Sequence, residues 1–310
     1  MTDDLLGLLL WVALALFVAA SVLPRRFATP VGAVGWVTFG VYCLSLLPHY
    51  MAEGSPLYVG AVILALPITV YMAYLMHWRK EDVLVPITRL AAITGVVYMP
   101  FDVIPPLRDG LIQLTTDITQ AGMLALGVPV ERFSWNTLQL NIYKVEIIPA
   151  CTAIQSIALF AGVVGAVSSS WQNRLKAFAV SIPVIYALNF VRNVFVVSAY
   201  GYQWFPWMPE AVAPAGEPYK ASFFWAHSVF AELGSVLALI LIAFAVIKVM
   251  PEVLDVLGRF LDLFRIPQLL GLRRGGGGPG RGAGRRESGG AGRAGPGTML
   301  PKRKKEGGRS

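Results

Sequence analysis

An all-α polytopic membrane protein is the fold class this sequence predicts: a bundle of about seven transmembrane helices with a short extracytoplasmic amphipathic and strand-like insert. Three observations predict it. Of 310 residues, 55% are hydrophobic and only 14% charged, where a soluble domain carries about 25% charged residues. The apolar residues fall into seven segments near the length of roughly 20 residues that a hydrocarbon core of about 30 Å requires. The connections between them alternate between cation-rich and cation-poor, as short loops on opposite membrane faces do.

The segments run over 5–23, 31–48, 57–77, 84–104, 152–170, 177–200 and 222–249. The first resembles a signal-peptide core, but MTDD in front of it is acidic where a signal peptide is basic, so a retained span is expected. Arg25 and Arg26 follow the first span, Arg79 and Lys80 the third, and Arg174 and Lys176 lie between the fifth and sixth. A basic tail follows the seventh: from Lys248 onward there are 14 Lys/Arg against 5 Asp/Glu, whereas residues 1–247 carry 12 against 13. The other connections, PHYMAEGSP and GYQWFPWMPEAVAPAGEPYK, are poor in cations and rich in Pro and aromatic residues. By the charge rule the N-terminus lies outside and the C-terminus in the cytoplasm, with Trp204, Trp207, Tyr219 and Trp225 as an outer aromatic belt.

Four stretches follow. Residues 1–106 hold the first four transmembrane helices and 151–250 the last three. The insert occupies 107–150. Its first part, 107–128, is long enough to span but contains Arg108, Asp109, Gln113, Asp117 and Gln120. Were it to cross, the cation-rich QNRLK loop would move outside, so an amphipathic helix packed at the outer surface is expected. WNTLQLNIYKVEIIPA alternates apolar and polar residues like a short strand or hairpin. The last stretch, 251–310, is a basic Gly/Arg-rich cytoplasmic tail whose composition from about 273 cannot bury a core. Contact with anionic headgroups and a plain topology anchor are both open for it, and a nucleic-acid partner is not expected.

Within this frame, Cys151, Arg192 and His227 sit at or near span ends that the threading brings to one membrane face. Arginine inside a span is rare and faces a polar interior, unless it snorkels to the headgroups. Asn189 and Asn193 flank Arg192 at helical spacing and give it a polar face. Cys151, after Pro149, is expected to open the fifth helix, where the dipole favours a thiolate; the plain alternative is an inert buried cysteine, as Cys43 is read. His227 enters the seventh helix, and Glu232 below it is placed to orient the imidazole or pair with Arg192. A thiol, a permanent cation and an imidazole at one face are the parts of a cysteine-nucleophile enzyme. A channel or transporter whose Arg192 lines an anion path is the alternative from another class. HExxH, CxxC, GxSxG, Walker and Rossmann motifs are absent, which removes the metalloprotease, thiol-disulfide, serine-hydrolase and nucleotide-binding readings. No metal or cofactor is expected.

The segments ACTAIQSIALFAG, NFVRN and WAHSVFAE resemble the three motifs of the exosortase/archaeosortase family. The first, with Thr152 and Gln155 after the cysteine, is most similar to the archaeosortase A branch. The resemblance covers roughly 145–235, with the order Cys, Arg, then His or Arg. It implies a membrane-embedded cysteine transpeptidase with Cys151, Arg192 and His227 as its catalytic residues. The implied substrates are secreted surface proteins ending in a sorting signal: a short motif of PGF type, a hydrophobic helix and a basic cluster. The implied acceptor is a membrane lipid. An intramembrane cysteine protease releasing its product to water would share these residues and differ only in the acceptor.

Overall fold

The computed structural model describes residues 2–52 and 56–264; the Gly/Arg-rich tail predicted from about 273 lies outside them. Helix α1 (Thr2–Val22) turns at Pro24 into α2 (Arg25–Ser45), and the short α3 (Leu47–Ala52) follows. Helix α4 (Pro56–Tyr74) continues as a π turn over Leu75–Arg79. Lys80, in the left-handed region, ends it. Helix α5 (Leu84–Val103) breaks at Ile104, before two prolines that open α6 (Pro105–Ala125). Proline is at home in a first helical turn, where its missing N–H costs nothing.

The insert is an antiparallel meander of three strands, β1 (Glu131–Ser134), β2 (Thr137–Leu140) and β3 (Tyr143–Glu146), in the order β1-β2-β3. The expected hairpin is therefore one strand larger. A 3₁₀ turn over Pro149–Cys151 leads to α7 (Ile154–Ala166) and the long α8 (Trp171–Gly201), which Ser170 caps by accepting from the Asn173 amide. Short α9 (Pro209–Val212) and α10 (Lys220–Phe224) precede a π turn over Trp225–Ala231, α11 (Glu232–Val249) and the amphipathic α12 (Glu252–Leu263).

Among the described residues, five helical stretches are long and apolar enough to cross a membrane: Arg25–Ala52, Tyr58–Arg79, Leu84–Val103, Trp171–Gly201 and Lys220–Val249. The other two segments expected to span are α1 and α7. At 1.5 Å per residue the 13 residues of α7 reach only about 20 Å, short of a hydrocarbon core of roughly 30 Å. Helix length thus supports five of the seven spans expected. Large apolar side chains face outward along the long helices, as on α11 at Leu237, Leu241 and Phe244. A water-soluble surface does not expose such a stripe, and lipid covers it without cost.

Two cores hold the bundle. In the N-terminal one, Trp36 packs on Phe17 at 4.8 Å between ring centroids and donates from Nε1 to Thr88 Oγ1 at 2.9 Å. In the other, Phe160, Val164 and Ile185 meet Ile242, Val246 and Met250. Helices α5 and α7 join the halves at Gly162, where a β-carbon would collide with the Thr94 hydroxyl and the Leu90 carbonyl. Helix α12 closes one end of the bundle. Its Val256, Phe260 and Leu263 pack on the first core, and its Val253 and Val256 on the second. That end also carries the Arg25–Asp82 ion pair (3.5 Å) and the Ser169 hydroxyl donating to Glu252 (3.0 Å).

The sheet and α6 occupy the opposite end. Thirty-one residues make α8 about 46 Å long, more than a bilayer core needs, and its last turns are buried against the sheet, α6 and α10. Leu138, Leu140 and Val145 of the sheet pack there with Met123 of α6 and Val197 and Tyr200 of α8. Asn141 Nδ2 donates to the Gly201 carbonyl at 2.8 Å. Arg132 of β1 pairs with Asp117 of α6 at 2.9 Å. Asp117 thus ties α6 to the sheet that packs on the end of α8.

Candidate active site

The turn that carries Cys151 is built outward from the sheet. Beyond β3, the Ile147 amide donates to the Asn136 carbonyl (2.8 Å), and Asn136 Nδ2 returns bonds to Glu146 Oε1 (2.9 Å) and the Ile147 carbonyl (3.3 Å). Pro149 then starts the 3₁₀ turn, closed by the Cys151 amide on the Ile148 carbonyl (2.8 Å) and by the Thr152 hydroxyl on the Pro149 carbonyl (2.7 Å). Ala153 stands in the left-handed region at φ 61°, a conformation costing a non-glycine residue roughly 1–2 kcal/mol. It separates the turn from α7. Cys151 therefore does not open the fifth helix, as the sequence suggested. It closes a separate turn two residues before α7, because Pro149 and the reversal at Ala153 interrupt the helix.

Cys151 is 7% exposed, its side chain set between Ile112 of α6 and Ile147. Its carbonyl oxygen accepts two side-chain amides from α8, Asn189 Nδ2 at 2.8 Å and Asn193 Nδ2 at 2.9 Å. Residues four apart lie on one helix face, so both reach one acceptor. Arg192, three residues after Asn189, sits roughly 14 Å below the end of α8 by helical rise. Its guanidinium lies 3.3 Å from His227 Nε2.

His227 is carried by the π turn over Trp225–Ala231. A π turn inserts an extra residue and re-aims the side chains around it, and such turns recur at functional sites. The Phe223 ring stacks on the imidazole at 5.0 Å and 15°. Glu232, at the start of α11, is exposed and within electrostatic range of the ring. Among the described residues it makes neither a hydrogen bond nor an ion pair with Arg192 or His227. The aromatic residues of the 202–225 stretch gather beside the site: Trp225 Nε1 donates to the Trp207 carbonyl at 2.9 Å and the two indoles meet at 5.9 Å.

The expected residues thus come together in two linked contacts. Asn189 and Asn193 fix the backbone of Cys151 to α8, and Arg192 on that helix meets His227. Among the described residues the thiol itself makes no hydrogen bond. Two shallow depressions lie near the turn. One is lined by Tyr98, Asp102, Arg108, Ile112, Pro149 and Thr152. The other lies between α6 and α8 at Thr115, Thr119, Tyr186 and Asn189. Among the described residues no group of three or more His, Cys, Asp or Glu is placed to hold a metal ion.

Sequence reasoning missed the partners on α5. Tyr98 donates to Asp102 Oδ1 at 3.0 Å and is hydrogen-bonded by Gln155, one turn beyond Cys151. The i, i+4 spacing of Tyr98 and Asp102 was the available signal, and it carried no weight without knowledge that α5 abuts α7. The two asparagines were legible as a polar face, but not their shared acceptor.

The chain matches the family model described as "Transmembrane exosortase" over residues 2–210, a stretch holding Cys151 and Arg192 and ending before His227. It is 29% identical over 276 residues to Archaeosortase A of Haloferax volcanii, covering 81% of this chain and 91% of that one. It is also 29% identical over 280 residues to Archaeosortase A of Natronomonas pharaonis, covering 83% and 89%. No solved structure matches.

Proposed function

The chain belongs to the transmembrane exosortase family, and from that premise and the site geometry we propose that it is a membrane-embedded cysteine transpeptidase acting on surface proteins with a C-terminal sorting signal. One observation carries the assignment of residues. The only two asparagines on the inner face of α8 near Arg192 both hold the carbonyl of Cys151, so the thiol-bearing turn is tied to the helix that bears the guanidinium.

In this reading the Cys151 thiolate adds to the scissile carbonyl. The carbonyl π pair moves to oxygen as the C–S bond forms. Arg192 donates to that oxyanion; a guanidinium cannot deprotonate, so it is no base. Collapse expels the amine of the signal helix, which takes a proton, and leaves a thioester on Cys151. A nucleophile on a membrane lipid then attacks the thioester, loses its proton and releases the thiolate. Transfer outcompetes hydrolysis only where water is scarce. The cap of α6 and the sheet over a turn recessed below the end of α8 supports that condition. The signal is taken to be of PGF type, and the active site to face outside, with the N-terminus outside and the C-terminus in the cytoplasm.

Mass spectrometry of a substrate's C-terminus, in cells with and without the protein, tests the reading. A lipid-modified, shortened C-terminus that disappears with Cys151→Ala is expected, together with a hydroxylamine-sensitive enzyme–substrate adduct. A shortened C-terminus bearing a free carboxylate instead identifies a protease. Unchanged processing by Cys151→Ala removes the cysteine mechanism.

A further inference from the structure

The Arg192–His227 contact fixes the protonation of the imidazole. Every N–H of a guanidinium is a donor and none of its nitrogens accepts a hydrogen bond. At 3.3 Å from Arg192 Nη2, His227 Nε2 must therefore present its lone pair. A ring that accepts there is neutral, with its proton on Nδ1. An imidazolium at this position would set N–H against N–H and one cation against another. We propose that His227 works as a neutral acceptor that aims the Arg192 guanidinium, a positioning residue, and is not the base that activates Cys151. The inference rests on the transpeptidase reading for its catalytic consequence.

Three features support it. The lone pair that a base would use is already engaged by Arg192. Cys151, between Ile112 and Ile147, makes no hydrogen bond to the ring among the described residues. Phe223 holds the imidazole plane by stacking, and the π turn over Trp225–Ala231 sets its height on the helix, so the acceptor is aimed from two sides. The charged groups that reach the ring are Arg192, from α8, and Glu232, at the start of α11. Without its acceptor, a five-donor side chain on four rotatable bonds has nothing to select one rotamer, and a misplaced donor loses most of its effect on an oxyanion. Protonation of His227 removes the acceptor and repels the guanidinium, so this contribution is lost as pH falls through the imidazole titration.

Nitrogen-15 NMR of histidine-labelled, full-length protein in detergent at neutral pH tests the assignment without any substrate. The chain has 3 histidines, and the resonance that vanishes in His227→Gln is the one to read. A neutral Nδ1–H ring is expected, and an Nε2–H ring or an imidazolium overturns the proposal. Substrate processing supplies the second arm. His227→Gln keeps a side-chain acceptor but no base, so it should retain activity within about tenfold, the worth of one hydrogen bond, and lose the acid limb due to imidazole. His227→Phe should lose on the order of 10²-fold, like the removal of an oxyanion donor. Equal, severe loss in both variants overturns the positioning role in favour of a base. Cys151→Ala separates the two levels. Native processing by that variant sinks the transpeptidase reading while leaving the tautomer to the NMR result.

Discussion

Removing the two amides that hold the Cys151 carbonyl, singly and together, separates a positioning device from a merely polar helix face. Asn193 is 3% exposed and donates at 2.9 Å; Asn189 donates to the same oxygen at 2.8 Å. A single alanine substitution leaves the carbonyl with one donor, and one hydrogen bond is worth about 1 kcal/mol net. Each single variant should therefore lose processing rate by about fivefold, by the same conversion that makes 1.36 kcal/mol tenfold. Removing both leaves a buried acceptor unsatisfied, at a cost of about 1–3 kcal/mol for the group itself beyond the bonds lost. The double variant should lose on the order of 10²-fold or more, clearly beyond the product of the singles.

Two measurements check this. Processing of a substrate in membranes gives the rates, and the alkylation rate of Cys151 in the same membranes reports the position of the turn. With the amides gone the turn should open and alkylation should quicken, since the thiol is now set between Ile112 and Ile147. Native processing in the double variant, or losses that simply multiply with unchanged alkylation, would refute the clamp.

Three further outcomes follow from the same geometry. Gly201→Ala should undock the sheet, because a β-carbon there would collide with Leu140; a lower melting temperature in detergent is expected, for a cost of about 1–3 kcal/mol. Ala153→Gly should preserve or raise stability by up to about 1 kcal/mol, since glycine adopts the left-handed region freely, whereas Ala153→Val should lower both stability and processing. In a Cys43→Ala background, an impermeant maleimide applied to intact cells should label Ile142→Cys, at the 78% exposed β2–β3 turn, and not Gln172→Cys at the start of α8. The reverse labelling pattern would invert the proposed orientation.

The long helices were legible because apolar length carries them. The segments placed at 84–104 and 222–249 appear as Leu84–Val103 and, with its π turn, Lys220–Val249. Where a helix stops for a local reason the sequence also spoke, as at Pro105. What composition could not give was packing between helices. Tyr98 and Gln155 lie far apart in sequence, and only the close α5–α7 approach at Gly162 brings them together. The left-handed Ala153 was hidden as well, because alanine signals helix and nothing local announces the reversal. The π turn under His227 escaped for a related reason: WAHSVFA reads as continuous helix, and one inserted residue leaves no mark on hydropathy.

The shortness of α7 and the two asparagines of α8 answer the same physical demand. In a multi-pass membrane protein, backbone that is not helical at membrane depth survives only where protein groups satisfy its N–H and C=O. Helix α7 falls about 10 Å short of a hydrocarbon core by its 13 residues, and irregular chain from Ile147 to Ala153 precedes it. Inside that stretch, the Cys151 amide has the Ile148 carbonyl, the Pro149 carbonyl has Thr152, and Ile147 has Asn136. The Cys151 carbonyl has no such local partner, and its donors come from α8. Extending α7 through the turn would supply those bonds internally, but it would bury the thiol in a continuous helix and remove the reason for polar residues at 189 and 193. A recessed, non-helical cysteine therefore requires donors on a neighbouring helix, and Arg192 shares the face that provides them.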